Sequence, residues 1–159
     1  MSSKTILAAG LLACLVPAAA LAADRPGYGD AVEFFETEAQ YEAWFTLVRN
    51  LRRDFDWICG DTFCEGDYSN IQPLRFSCSV HRSSGRVGMC VWTFAASQEE
   101  IAQATGRIGV QRAFWECRMP LGAGTRIDQL LDALAVDAPL YAPLPGQQRS
   151  VMDALIDCL

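Results

Sequence analysis

The chain of 159 residues contains one histidine, His81, and one lysine, Lys4. It has no Cys-x-x-Cys pair and no His-x-x-x-His pair, so the ligand spacing of a structural zinc site is missing. With a single histidine, any Ser/His/Asp centre has to use His81, which lies between Ser79 and Ser83-Ser84 at a hairpin tip where little excludes water. Basic residues are also few, 13 Lys and Arg against 19 Asp and Glu. Phosphate binding relies on clustered Lys and Arg, so nucleic acid is not an expected partner. Beyond the first two dozen residues there is no apolar run of about 20 residues, so no membrane span is expected in the body of the chain.

What is present begins with an export signal. Lys4 precedes an apolar run from Ile6 to Ala23 that ends in the small residues Ala20-Leu21-Ala22 and is followed by Asp24-Arg25-Pro26-Gly27. That is the form of a cleaved secretory signal, with the cut after Ala22 or Ala23. A lipoprotein box at Leu11-Leu12-Ala13-Cys14 is the weaker alternative, because the apolar run continues well past Cys14. The expected organisation is a signal peptide over 1–22, a flexible leader over 23–31 and one domain over 32–159. Losing Lys4 leaves 12 basic residues, all arginine, against 19 acidic ones, a net charge of −7. Such acidity suits solubility, a basic protein partner or a cation.

Six cysteines remain: Cys59, Cys64, Cys78, Cys90, Cys117 and Cys158. An even number in an exported chain implies three disulfides, which points to a periplasmic or secreted protein. Spacing alone does not choose among the pairings. A thiol nucleophile would need one of them reduced, which oxidation of all six denies.

The fold expected is α+β: a small antiparallel sheet with an N-terminal helix and two C-terminal helices packed on it. Thr37-Glu38-Ala39-Gln40 has capping-box form and opens a helix over about 38–53, with Tyr41, Trp44, Phe45, Val48, Leu51 and Phe55 at spacings of three and four. Residues 71–81 alternate as a strand, Ser83-Ser84-Gly85 supplies a turn, and 87–97 form the returning strand. A turn centred on Ser84 sets Cys78 against Cys90, Phe76 against Trp92 and Leu74 against Phe94, all on one face. Cys78 and Cys90 are then close enough to bridge. Ser97-Gln98-Glu99-Glu100 signals a short helical turn, and 107–119 reads as a third strand, with a bulge where the apolar parity shifts between Val110 and Trp115. Thr125 caps a helix through Leu134, and a last helix near 148–159 lets Cys158 reach Cys117.

The segment from Cys59 to Asn70 is the densest in polar chemistry. On a calcium loop starting at Asp54, Asp56, Thr62 and Glu65 fall at ligand positions, but Ile58 stands where an oxygen is needed and Cys59 where glycine is required. No metal and no cofactor is assigned. Cys59 and Cys64 can close a short loop, with Asp67 and Asn70 ordering the turn into the strand by local side-chain bonds. Pinned at both ends, this loop would present Asp61, Phe63, Glu65, Asp67 and Tyr68 as a binding surface. The expected function is a non-catalytic, exported binding domain, for instance an acidic inhibitor or immunity-type protein for a basic envelope or secreted enzyme. Two alternatives stay open: a small hydrolase of cell-wall or glycan substrates using the loop's carboxylates, and a calcium-stabilised envelope protein.

Overall fold

The computed structural model describes residues 27–159. The signal sequence, its Cys14 alternative and the start of the leader lie outside them. In chain order the elements are β1 (Tyr28–Asp30), α1 (Ala31–Phe34), α2 (Glu38–Ile58), β2 (Gln72–His81), β3 (Val87–Ala102), β4 (Arg107–Arg118), α3 (Ile127–Ala133) and α4 (Val151–Ile156). The four strands form one antiparallel sheet in the order β1-β2-β3-β4, with the helices on one face: an α+β domain.

Thr37 and Gln40 do form the capping box that starts α2. The helix runs five residues past the expected Arg53, since nothing before Gly60 interrupts it. Its buried face is Trp44, Leu47, Leu51, Asp54 and Phe55. At about 100° per residue, Phe45 lies a third of a turn from the centre of that stripe. It is therefore exposed, and Leu47 takes the place expected of it. Phe55 packs against Phe94 and Trp92 at ring-centroid distances of 4.9 and 5.9 Å, and Trp44 against Phe76 at 5.7 Å. Each fully buried side chain of this size contributes about 1.5–3 kcal/mol, so this aromatic layer is what fastens α2 to the sheet.

Cys78 faces Cys90 and Phe76 faces Trp92, as the turn position implies. Leu74 does not face Phe94. A bulge between Pro73 and Arg75 places Pro73 there and turns Leu74 out to solvent. Proline has no N–H for the ladder and a fixed φ, so the strand breaks register beside it. The parity shift in β4 involves no bulge. β3 and β4 pair continuously over twelve residues, from Val91 with Arg118 to Ala102 with Arg107. Ser97–Glu100 accordingly belongs to β3 and not to a helical turn, because cross-strand pairing with β4 outweighs a local capping signal that has no apolar run behind it. Gly106, at φ +68°, closes the hairpin by donating its N–H to the Ala102 carbonyl.

Two further differences lie at the chain ends. Tyr28–Asp30, read as leader, forms a short edge strand opposite His81–Ser79, and Asp30 caps α1 while accepting from Arg75 at 2.8 Å. The last helix starts only at Val151, where Ser150 and Asp153 cap each other. Thr125 is buried and its hydroxyl donates to the Gly122 carbonyl, which leaves Arg126 as the N-cap of α3.

Three disulfides join Cys59 to Cys64, Cys78 to Cys90 and Cys117 to Cys158, with Cα separations of 5.1, 4.1 and 5.6 Å. They match the three bridges that an oxidising compartment allows. Among the described residues, no helix is long and apolar enough to cross a membrane.

The bridges close loops of sequence separation 5, 12 and 41. Chain entropy then predicts losses of about 2, 3 and 4 kcal/mol for replacing each pair by alanine, in that order, measured by urea unfolding. A different ranking would show that strain or packing at the buried Cys78–Cys90 pair outweighs loop closure. A pH effect follows at α4. The backbone N–H and hydroxyl of Ser150 hold the Asp153 carboxyl below its ordinary value. A depressed carboxylate stabilises the fold above its unfolded pKa and loses that contribution as pH falls through the folded one. Ser150→Ala should therefore raise the Asp153 titration midpoint in NMR and leave α4 less sensitive to acid.

Candidate functional site

The end of α2 brings charged and exposed aromatic side chains together at one surface cleft. Asp54 sits on the buried face, where an apolar residue would be expected, and its carboxylate is fully engaged. Arg53 donates to it through Nε at 3.0 Å and Nη2 at 2.7 Å, and the Leu140 N–H donates at 3.5 Å. Arg53 also makes a short contact to the Asp137 carbonyl. These bonds tie α2 to the single helical turn Pro139–Tyr141 and bring Tyr141 beside Trp57. A cleft of about 270 Å³ results, lined by Arg53, Asp54, Trp57, Ile58, Ala138 and Tyr141. Trp57 is 86% exposed and Tyr141 53% exposed. A large aromatic side chain left in water costs hydrophobic free energy, and Trp, Tyr and Arg together are the residue types that dominate binding energy at interfaces.

The chain passes directly from Ile58 in this cleft into the loop that begins at Cys59. Residues Cys59–Phe63 form one wide π-type turn, closed by the Cys64 N–H donating to the Cys59 carbonyl at 2.6 Å and by the Cys59–Cys64 disulfide. The five residues picked from the sequence separate into two groups. Phe63 stacks on Phe55 at 5.8 Å and 13°, and Tyr68 meets the edge of Trp115 at 5.6 Å and 86°, so both aromatic rings turn inward onto the core. Asp61, Glu65 and Asp67 face solvent and take part in none of the ion pairs among the described residues. Asn70 does not order the turn locally. Its amide donates to the Ser97 hydroxyl at 3.1 Å and accepts from the Ser97 N–H at 3.0 Å, which fastens the loop's far end to β3.

The loop carboxylates do not line the Trp57 cleft. Among the described residues, no three His, Cys, Asp or Glu side chains are grouped to hold a metal ion. The His81 Nδ1 lies 3.2 and 3.1 Å from the hydroxyls of Ser83 and Ser84, and its ring meets Tyr28 edge-on at 5.2 Å. Among the described residues no carboxylate hydrogen-bonds its other nitrogen to orient it, so the set lacks the third member that a nucleophilic triad uses.

A helix ending at Arg53 leaves Trp57 outside the sequence-based reading of α2, and Tyr141 falls in the proline-rich loop. Extended to Ile58 at helical spacing, Trp57 falls a third of a turn off the buried stripe. An aromatic residue on the wet side of a long helix was the available signal. Tyr141 carries no such signal, since only the Asp54 bonds bring its segment to the cleft.

Asp54→Ala should cost about 1–3 kcal/mol in urea unfolding, because it leaves Arg53 and the Leu140 N–H without their acceptor. It should also loosen the Pro139–Tyr141 turn, read as faster amide exchange at Leu140. A stability change with unaltered exchange there would mean that Asp54 does not hold the cleft together. Set against family models, curated proteins and solved structures, the chain matches none of them.

Proposed function

We propose that the protein is an exported, disulfide-stapled binding domain that covers a basic protein partner, in an inhibitor-type or immunity-type role. The contact is centred on Trp57 and Tyr141 and rimmed by Asp56, Asp61, Glu65 and Asp67. The observation that carries this reading is the 86% exposure of Trp57 on the last turn of a 21-residue helix, directly before a loop closed by a disulfide. A rigid aromatic anchor loses little conformational entropy on binding, so more of its contact energy is left as affinity. The surrounding carboxylates and the excess of acidic residues, 19 Asp and Glu against 12 Arg once Lys4 is cleaved away, complement a basic surface, which speeds encounter and makes binding weaken with salt.

This reading keeps the acidic loop as a recognition element and moves the aromatic contact. Phe63 and Tyr68 serve the loop from inside, by anchoring it to Phe55 and Trp115. They hold the carboxylates in place without touching the partner.

The test is capture of the partner from envelope extract on the mature, oxidised protein, followed by titration with the purified partner. Trp57→Ala should weaken binding by about 30-fold or more, the scale of an interfacial hot spot of about 2 kcal/mol. The triple change Asp61→Asn, Glu65→Gln, Asp67→Asn should slow association and flatten its salt dependence. Phe63→Ala should lower the unfolding midpoint instead. A partner whose affinity is untouched by Trp57→Ala and Tyr141→Ala would reject the reading.

A further inference from the structure

The two edges of the sheet are finished differently. β1 is three residues long, and very short strands are one way in which proteins blunt an edge. β4 is twelve residues long, and no backbone hydrogen bond from another described element reaches its free side. It carries no proline, no lysine and no bulge; of the usual devices that stop an open edge from recruiting another strand it has only scattered charged residues, Arg107, Arg112, Glu116 and Arg118.

Past Ala95, which faces the first residue of β2, the β3–β4 hairpin projects as a two-stranded arm. Such a ribbon alone is marginal in water. Its amphipathic sense is the reverse of that in the body of the sheet. The side continuous with the core carries Gln98, Glu100, Arg107 and Gln111, whereas Ile101, Ile108, Val110 and Phe114 stand exposed on the outer side, interspersed with Ser97, Glu99 and Arg112. Gly109 interrupts the arm without a reason internal to the chain. Its φ is not positive, and a Cβ there would meet only the Glu100 carbonyl at 3.8 Å. Glycine inside a strand marks a place where another backbone comes close.

We propose that β4 pairs antiparallel with β4 of a second copy of this chain, about a two-fold axis at Gln111, joining the two sheets edge to edge. The sequence of β4 is complementary to itself in this register. Ile108 lies opposite Phe114 of the second copy, Gly109 opposite Ala113, Val110 opposite Arg112, and Arg107 opposite Trp115, where the guanidinium can sit over the indole. Symmetry makes every pair but the central Gln111–Gln111 one twice, and no like charges oppose. Centring the axis on Arg112 would set that residue against itself. Centring it on Gly109 would leave Phe114 beyond the paired segment. The contact uses no residue of the Trp57 cleft.

Sedimentation equilibrium on the mature, disulfide-bonded protein tests this. The wild type should change from one chain to two as concentration rises. Val110→Arg places a guanidinium opposite Arg112 of the second copy, yet within its own chain the new side chain faces Glu99, so the hairpin keeps a favourable pair. It should raise the dissociation constant about tenfold, from two like-charge oppositions. Adding Arg112→Glu makes the facing charges opposite and should restore association, with near-UV circular dichroism unchanged throughout. A wild type that stays monomeric up to its solubility limit overturns the proposal, whether or not a foreign peptide strand binds the arm. So does a dimer indifferent to Val110→Arg, or a double variant that fails to regain association.

Discussion

The opposition of Cys78 and Cys90 in the β2–β3 hairpin is the constraint from which the rest of the structure follows. Successive side chains alternate between the two faces of a strand, so fixing one pair fixes the face of every other. With both cysteines facing the helices, Phe76, Val80, Trp92 and Phe94 share their side and form the floor on which α2 lies. A slip of one residue would put the sulfurs and these rings in water and would leave α2 nothing to pack against. The disulfide closes that alternative in the unfolded chain as well as in the folded one, because only a narrow set of registers brings residues 78 and 90 within bridging distance.

The same alternation explains what could and could not be read from the sequence. The hairpin register was legible because two cysteines and several large apolar residues agreed on one turn position. The α2 start was legible because a reciprocal cap involves only residues three apart. Leu74 was not, because a bulge is set by Pro73 and by the ladder beyond it, and parity cannot count an inserted residue. The shifted pattern in β4 was seen and misassigned. A bulge and a true reversal of the wet and dry faces leave the same trace in a sequence, and only the unbroken pairing from Val91 to Ala102 separates them. The inward turn of Phe63 and Tyr68 depends on Phe55 and Trp115, which lie 8 and 47 residues away along the chain. No local pattern reports such a contact, whereas the exposure of Asp61, Glu65 and Asp67 follows from charge alone.

The covalent bridges also divide the surface by rigidity. Cys59–Cys64 stands directly after the helix end that carries Trp57, Cys117–Cys158 ties the base of β4 to the segment after α4, and Cys78–Cys90 lies between them in the sheet. The Trp57 cleft is thus held by a disulfide on one side and by the Asp54 bonds on the other. A site so constrained suits recognition by a preformed shape, in which the partner's approach is guided by charge and the contact is made by aromatic area.

The arm is built on the opposite physical basis. No disulfide reaches β3 beyond Ala96 or β4 before Cys117, so past Ser97, which Asn70 ties to the loop, the distal hairpin is held by ladder hydrogen bonds and cross-strand pairs. Those terms are small per residue, about 0.2–1 kcal/mol for each side-chain pair. Helix-side burial, which stabilises the rest of the sheet, ends near Ala96. Six further residues of β3, Ser97 to Ala102, pair with β4 past the point where the domain's own core supports them. Continuation of the strands there, with Ile101, Ile108, Val110 and Phe114 turned outward, is accounted for if the ribbon gains pairing from its free edge. A second β4 supplies that pairing in a register that opposes no arginines and sets Ile108 directly against Phe114 across the junction.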